Sequence, residues 1–146
     1  MRDRPSLAEG AFLAAVAAVQ VGGTVLAARH QVAPRELDIA GLTLLVAGAG
    51  SVGLRRRSPA GALALALVTT AAYWTLGFPR GPVFAGLLVT VGYAILVGRR
   101  REAVAAMLVG FVVFPWGRYL LGRGDAPSVA GVLALAAWLI TILSVV

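Results

Sequence analysis

Six apolar stretches, each about long enough to cross a bilayer, take up almost all of this chain, and arginine clusters separate them. The expected spans are residues 8–28, 37–54, 59–78, 82–98, 103–121 and 126–146. A water-soluble domain could not hide this much apolar surface: 60% of the 146 residues are hydrophobic, 13% are charged, and the mean hydropathy is +0.89. Inside hydrocarbon every backbone amide needs an internal partner, and these runs are too long and too uniformly apolar for the alternating strands of an outer-membrane barrel. The sequence therefore predicts a single all-α domain, residues 1–146, forming a polytopic helical bundle in the inner or plasma membrane. Short connections favour antiparallel neighbours. Pro59 and Pro82 suit the first turns of their helices, and Ser58 and Asp125 can each cap the helix that follows it.

Arginine placement sets the expected orientation. With the amino terminus inside, Arg2, Arg4, Arg55, Arg56, Arg57, Arg99, Arg100 and Arg101 are cytoplasmic, while Arg29, Arg35, Arg80, Arg118 and Arg123 are outside, eight against five. The two triplets share a side because an even number of spans separates them, and both termini are expected in the cytoplasm. The run from Ala11 to Ala28 is longer than a signal-peptide core, and Asp3 and Glu9 weaken its basic preamble, so it is read as a retained first span.

Charge and composition exclude several functions. The net charge of +7 and pI near 11.5 come from arginines between apolar segments, where they meet anionic headgroups rather than forming a nucleic-acid face. Membrane lipids are the expected partners, with no nucleic acid. Without cysteine there is no disulfide or thiolate site, and one histidine, His30, cannot build an imidazole-rich metal site or offer Ser51 and Ser58 on the opposite face a catalytic base. The chain is read as non-enzymatic, with no cofactor.

Gly48-Ala49-Gly50-Ser51-Val52-Gly53 matches GxGxxG, but no acidic residue follows before Glu102, and Arg55 comes almost at once. A small-residue packing face is the better reading. Ala14, Ala18, Gly22, Gly23, Ala47, Gly48, Gly50 and Gly53 suit close helix approach, within one bundle or in a homodimer seam. The acidic residues all fall at span ends, and the threonines deeper in the spans can return hydrogen bonds to their own helices. Gln20, deep in the first span, suits an interhelical bond.

The outer ends of spans three and five carry Tyr73, Trp74, Phe78 and Arg80 from one, and Phe114, Trp116, Arg118 and Tyr119 from the other. An interfacial aromatic belt accounts for this composition. Pro115 followed by Gly117 is expected to bend span five, and a bend among aromatics and cations suits a shallow ligand pocket. At the other end Arg55, Arg56, Arg57, Arg99, Arg100 and Arg101 are expected to fix topology and meet anionic lipid.

Leu54-Arg55-Arg56-Arg57-Ser58-Pro59, Ala72-Tyr73, Gly77-Phe78-Pro79-Arg80-Gly81-Pro82, Tyr93 and Arg99-Arg100-Arg101 together resemble the amino-terminal membrane region of actinobacterial-type two-component sensor histidine kinases. In that family an LRRR-x-P step opens a span and a G-[YF]-P-x-G-P turn separates it from the next. The resemblance covers about Leu54 to Arg101 and implies a membrane sensing or anchoring module that detects an envelope or lipid-borne cue or regulates a partner, as a homodimer or with a kinase or other membrane protein. The family's phospho-accepting histidine and ATP-binding domain have no counterpart in these 146 residues, so no kinase chemistry carries over. The competing expectation is a small transporter or channel subunit, ranked second because no charge lies at mid-membrane.

Overall fold

The computed structural model describes residues 7–33 and 35–145, and these form six helices with no strand. The helices are α1 (Leu7–Ala28), α2 (Ile39–Leu54), α3 (Pro59–Leu76), α4 (Ala85–Leu96), α5 (Arg100–Leu120) and α6 (Val129–Val145). Readings that rest on Arg2, Asp3 and Arg4 lie outside the described residues. Among those described, α1, α3 and α5 are long and apolar enough to cross a membrane. The twelve residues of α4 rise only about 18 Å, less than a hydrocarbon core of roughly 30 Å.

Local chemistry sets most boundaries. The Asp38 carboxylate accepts the Gly41 N–H at 2.9 Å and caps α2. Ser58 caps α3 by accepting the Gly61 N–H at 3.2 Å, with Pro59 at the first helical position, as expected. Gly77 ends α3 in a left-handed conformation (φ 81°), which a side chain would strain. Two expectations are corrected. Asp125 does not cap the last helix; Ser128 does, accepting the Gly131 N–H at 3.1 Å, because the helix begins three residues later than expected. Pro82 is not in a first helical turn: it precedes α4 by three residues, its carbonyl accepting the Ala85 N–H at 3.1 Å.

The physical reason for that late start lies in α1. The Pro82 ring packs on Gly23, where a Cβ would sit 2.7 Å from Pro82 Cγ, and Gly81 lies against the Thr24 backbone, where a Cβ would sit 2.6 Å from Cα. The chain before α4 is thereby drawn in against α1. Phe78, Pro79 and Val83 are buried, so residues 77–84 form an irregular segment tucked into the bundle. Irregular backbone at membrane depth is tolerated where protein covers it.

Two apolar clusters hold the bundle. One joins Leu63 and Ala66 of α3 to Leu87, Val91 and Ala94 of α4 and Ala103 and Ala106 of α5. The other joins Leu45 of α2 to Tyr73, Phe78 and Val83 near the opposite end. The alanines let backbones approach closely, which is how helices pack where lipid removes the hydrophobic incentive. Among the described residues α6 packs on α5 alone, leaving Val129, Leu133 and Ile140 exposed.

Candidate functional site

A buried polar junction sits at the centre of the fold. α1 carries one wide π-turn at Ala18–Gly22, and Gln20 within it is 2% exposed. Its Nε2 donates to the Leu45 carbonyl of α2 at 3.1 Å, and its Oε1 accepts the Gly86 N–H of α4 at 2.7 Å. The amide thus caps the start of a helix to which it does not belong, satisfying a first-turn N–H that α4 leaves open. Contact this close needs glycine: a Cβ on Gly86 would sit 2.5 Å from the Gly48 carbonyl oxygen, and one on Gly48 would sit 2.7 Å from Gln20 Nε2. The expectation of an interhelical bond for Gln20 holds. Thr24, Thr43, Thr69 and Thr90 each bond a carbonyl of their own helix, at 2.6 to 2.9 Å.

The GAGSVG segment lies wholly within α2, whereas a phosphate-cradling loop stands between a strand and a helix N-terminus. Its positions divide by packing. Gly48 and Ser51 are buried, and a Cβ on Gly50 would meet nothing within 4 Å.

At the end bearing the arginine triplets, Arg55 turns into the bundle. It is 7% exposed, donates to the Val52 carbonyl at 2.7 Å, and lies 3.4 Å from Glu9 and over the Phe12 and Tyr93 rings at 5.1 and 5.7 Å. Arg56 holds the other Glu9 oxygen at 2.8 Å. Arg55 therefore ties α1, α2 and α4 together instead of facing lipid, and Arg99 pairs with Glu102 at 2.6 Å. Arg56, Arg57, Arg100 and Arg101 are exposed.

At the opposite end, the eight residues grouped by sequence separate into four local sets. Tyr73 is 2% exposed, donates to the Pro79 carbonyl at 3.0 Å and stacks on Phe78 with centroids 5.0 Å apart. Trp74 and Phe114 meet across α3 and α5: the Trp74 Nε1–H donates to the Phe114 carbonyl at 2.7 Å, Phe84 packs on both rings, and the Arg80 guanidinium lies 5.5 Å from the Trp74 ring. Close approach there depends on Gly117, where a Cβ would sit 2.6 Å from Thr75 Cγ2. Trp116 and Tyr119 form a separate exposed pair with centroids 6.3 Å apart. Helical geometry enforces the split: Phe114 and Gly117 share the face toward α3, and Trp116, two residues from Phe114, points elsewhere. α5 continues as helix through Pro115 to Leu120.

Arg118 belongs to the fourth set, a cleft of about 390 Å³ lined by Arg35, Thr75, Leu76, Gly77, Arg118 and Arg123. Arg35 pairs with Asp38 at 2.6 Å, lies over Phe78 at 4.6 Å and donates its backbone N–H to the Gly77 carbonyl at 3.3 Å. The Gly41 N–H, first, and the Arg35 guanidinium, second, hold the Asp38 carboxyl below its ordinary range. Nearby, the Gln31 amide clamps the Arg80 backbone, donating to its carbonyl at 2.7 Å and accepting its N–H at 3.0 Å. From sequence, Arg35 and Arg123 count only as outer arginines that set orientation, and nothing marks either as part of a cleft. Phe84 and Gln31 carry no sequence signal of their own, although Phe84 lies close after the G-F-P-R-G-P turn.

No protein-family model, curated protein or solved structure matches the chain.

Proposed function

We propose that the chain is a non-enzymatic membrane module that crosses the inner or plasma membrane six times, the fourth crossing made by α4 together with the irregular residues that flank it within 82–98, with both termini cytoplasmic, and that it senses an envelope or lipid-borne cue at its outer end or regulates a partner. The observation that carries this reading is the junction of α3 and α5, where the Trp74 N–H reaches the Phe114 carbonyl with Arg80 above the ring. An aromatic belt needs no such bond between helices, whereas a surface that transmits a cue needs its spans coupled where the cue arrives. The irregular segment 77–84 joins that junction to α4, whose other end leads into the second arginine triplet. The resemblance to the membrane region of sensor histidine kinases, over about Leu54 to Arg101, includes this segment and the α3 side of the junction but not Phe114.

Transport through the bundle is the weaker reading. Among the described residues the only buried side-chain polar atoms without a partner are Glu102 Oε2 and Arg118 Nε, at opposite ends. The Gln20 amide and the Thr24, Thr69 and Thr90 hydroxyls bond backbone groups rather than lining a path.

The test fuses the chain ahead of an active histidine-kinase output and measures phosphorylation in membranes under envelope perturbation. Loss of response in Trp74→Ala and Arg80→Gln at normal membrane levels is expected. If both respond like the parent, the cluster is only interfacial anchoring. Substrate flux in proteoliposomes would favour transport.

A further inference from the structure

The cleft beside α3 gathers positive charge from three separate parts of the chain. Arg35 comes from the α1–α2 connection, Arg118 from the last turn of α5, and Arg123 from the α5–α6 connection. Gly122 brings Arg123 into place: its left-handed backbone (φ 64°) turns the chain back so that the Arg123 N–H donates to the Arg118 carbonyl at 2.8 Å.

Helix ends attract cations, and the carbonyl ends of α3 and α5 account for some of this charge. They do not account for the side-chain bonding. Of the three guanidinium groups only that of Arg35 has a carboxylate partner among the described residues, Asp38. Glu36 and Asp125 are exposed, and neither pairs with a cleft arginine. Arg118 Nη2 reaches only the Arg123 carbonyl, at 3.3 Å, and Arg118 Nε is shielded from solvent with no acceptor. The half-buried Arg118 guanidinium is thus held by one long bond to a neutral carbonyl at the edge of an open cleft, and an anion there offers its remaining donors the charged acceptor that the described residues do not.

We propose that Arg35, Arg118 and Arg123 form a phosphate-binding site at the outer end of the bundle. The proposal deepens the sensor reading by naming the chemistry of its cue, and it rests on that reading for the site's side of the membrane. Guanidinium forks match the paired oxygens of a phosphate, and its charge balances what Asp38 leaves uncompensated. Along the chain Arg118 is flanked by exposed apolar side chains, Trp116, Tyr119 and Leu120 of α5 and Leu121 just after it, suited to lie among lipid tails and headgroups. A phospholipid headgroup and a free phosphate share the required chemistry.

The experiment uses the purified full chain. In one arm, native mass spectrometry measures retention of phosphatidylglycerol against phosphatidylcholine; in the other, tryptophan fluorescence follows titration with inorganic phosphate. Arg118→Gln and Arg123→Gln are compared with Arg29→Gln, an exposed arginine outside the cleft lining. Each cleft variant is expected to weaken binding about tenfold, with Arg29→Gln unchanged. Dependence in the first arm alone identifies a lipid headgroup, and in the second a soluble phosphate. No binding in either arm, cleft variants that bind like the parent, or equal weakening by Arg29→Gln would overturn the proposal. Arg123→Gln lies in an exposed connection, so a folded variant is available even if Arg118→Gln destabilises the helix end. Failure here would leave the kinase-fusion test at Trp74 and Arg80 standing, since that test does not depend on phosphate.

Discussion

The side-chain oxygen of Gln20 accepts the backbone N–H of Gly86 at 2.7 Å, joining the middle of the first helix to the start of the fourth. That bond explains how α4 can begin inside the bundle. A helix start away from water needs a cap, and the irregular chain before α4 supplies none from its own side chains. The π-turn in α1 and glycines at 48 and 86 accommodate the cap. Distant parts of the sequence therefore fix one local boundary.

Gly86→Ala is expected to destabilise the protein by about 1–3 kcal/mol, because the added methyl meets a backbone carbonyl that cannot move aside. Gly50→Ala, in the same GxGxxG segment as Gly48 but facing open space, should be nearly neutral. Thermal unfolding in detergent, followed by circular dichroism, measures both. Equal behaviour of the two variants would contradict the packed junction.

Gln20→Leu removes the cap while keeping an apolar side chain of similar length. The stranded Gly86 N–H should cost about 1–3 kcal/mol. Hydrogen exchange at Gly86 provides the local readout, which should accelerate more than exchange at the far end of α4. Unchanged protection there would mean another acceptor replaces the amide.

The sequence made the helical class legible because six apolar runs and their arginine boundaries speak to a bilayer directly. Ser58 and Pro59 also marked a helix start correctly, since their chemistry is local. The start of α4 was not legible: Pro82 looked like a first-turn residue, and only its packing on Gly23, with the cap from Gln20, moves the helix to Ala85. The outer cluster was partly legible. Trp74 and Phe114 do meet, but Trp116 and Tyr119 diverge with the helical period, and Arg35 and Arg123 reach the Arg118 cleft through loop conformations that carry no periodic signal.

Asp38 gives an acid-sensitive contact at the same end. Its folded carboxyl is held below the ordinary value, so the stabilisation is fully present above the unfolded pKa of about 3.9 and is lost as pH falls through the folded pKa. Asp38→Asn preserves a capping oxygen but does not titrate, and should flatten the dependence of Tm on pH below about 4. The effect is small because the pair is solvent-exposed. Superimposable profiles for parent and variant would rule out this contribution.

Both arginine triplets lie at one end of the bundle, since Arg55 of the first reaches Glu9 of α1 and approaches Tyr93 near the end of α4, which leads directly to the second. Reporter fusions after Arg57 and Arg101 are expected to be active only with a cytoplasmic reporter, and those after Arg80 only with a periplasmic one. The opposite pattern would invert the orientation. A cytoplasmic signal at all three points would show that α3 and α4 do not cross as a pair.

The two outer tryptophans should differ in what they hold together. Trp74 is half-buried, bonds the Phe114 carbonyl and packs on Phe84, so Trp74→Phe should lose about 0.5–1.5 kcal/mol with the hydrogen bond, and Trp74→Ala more, as ring packing goes too. Trp116 is 40% exposed and meets only Tyr119 among the described ring pairs, so Trp116→Ala should change bundle stability by less than about 1 kcal/mol. Unfolding in detergent micelles, which removes the bilayer anchoring common to both rings, separates packing from membrane affinity. A belt with no tertiary role predicts the same small loss at either position. A large loss confined to Trp74 places the coupling of α3 to α5 at the Phe114 carbonyl.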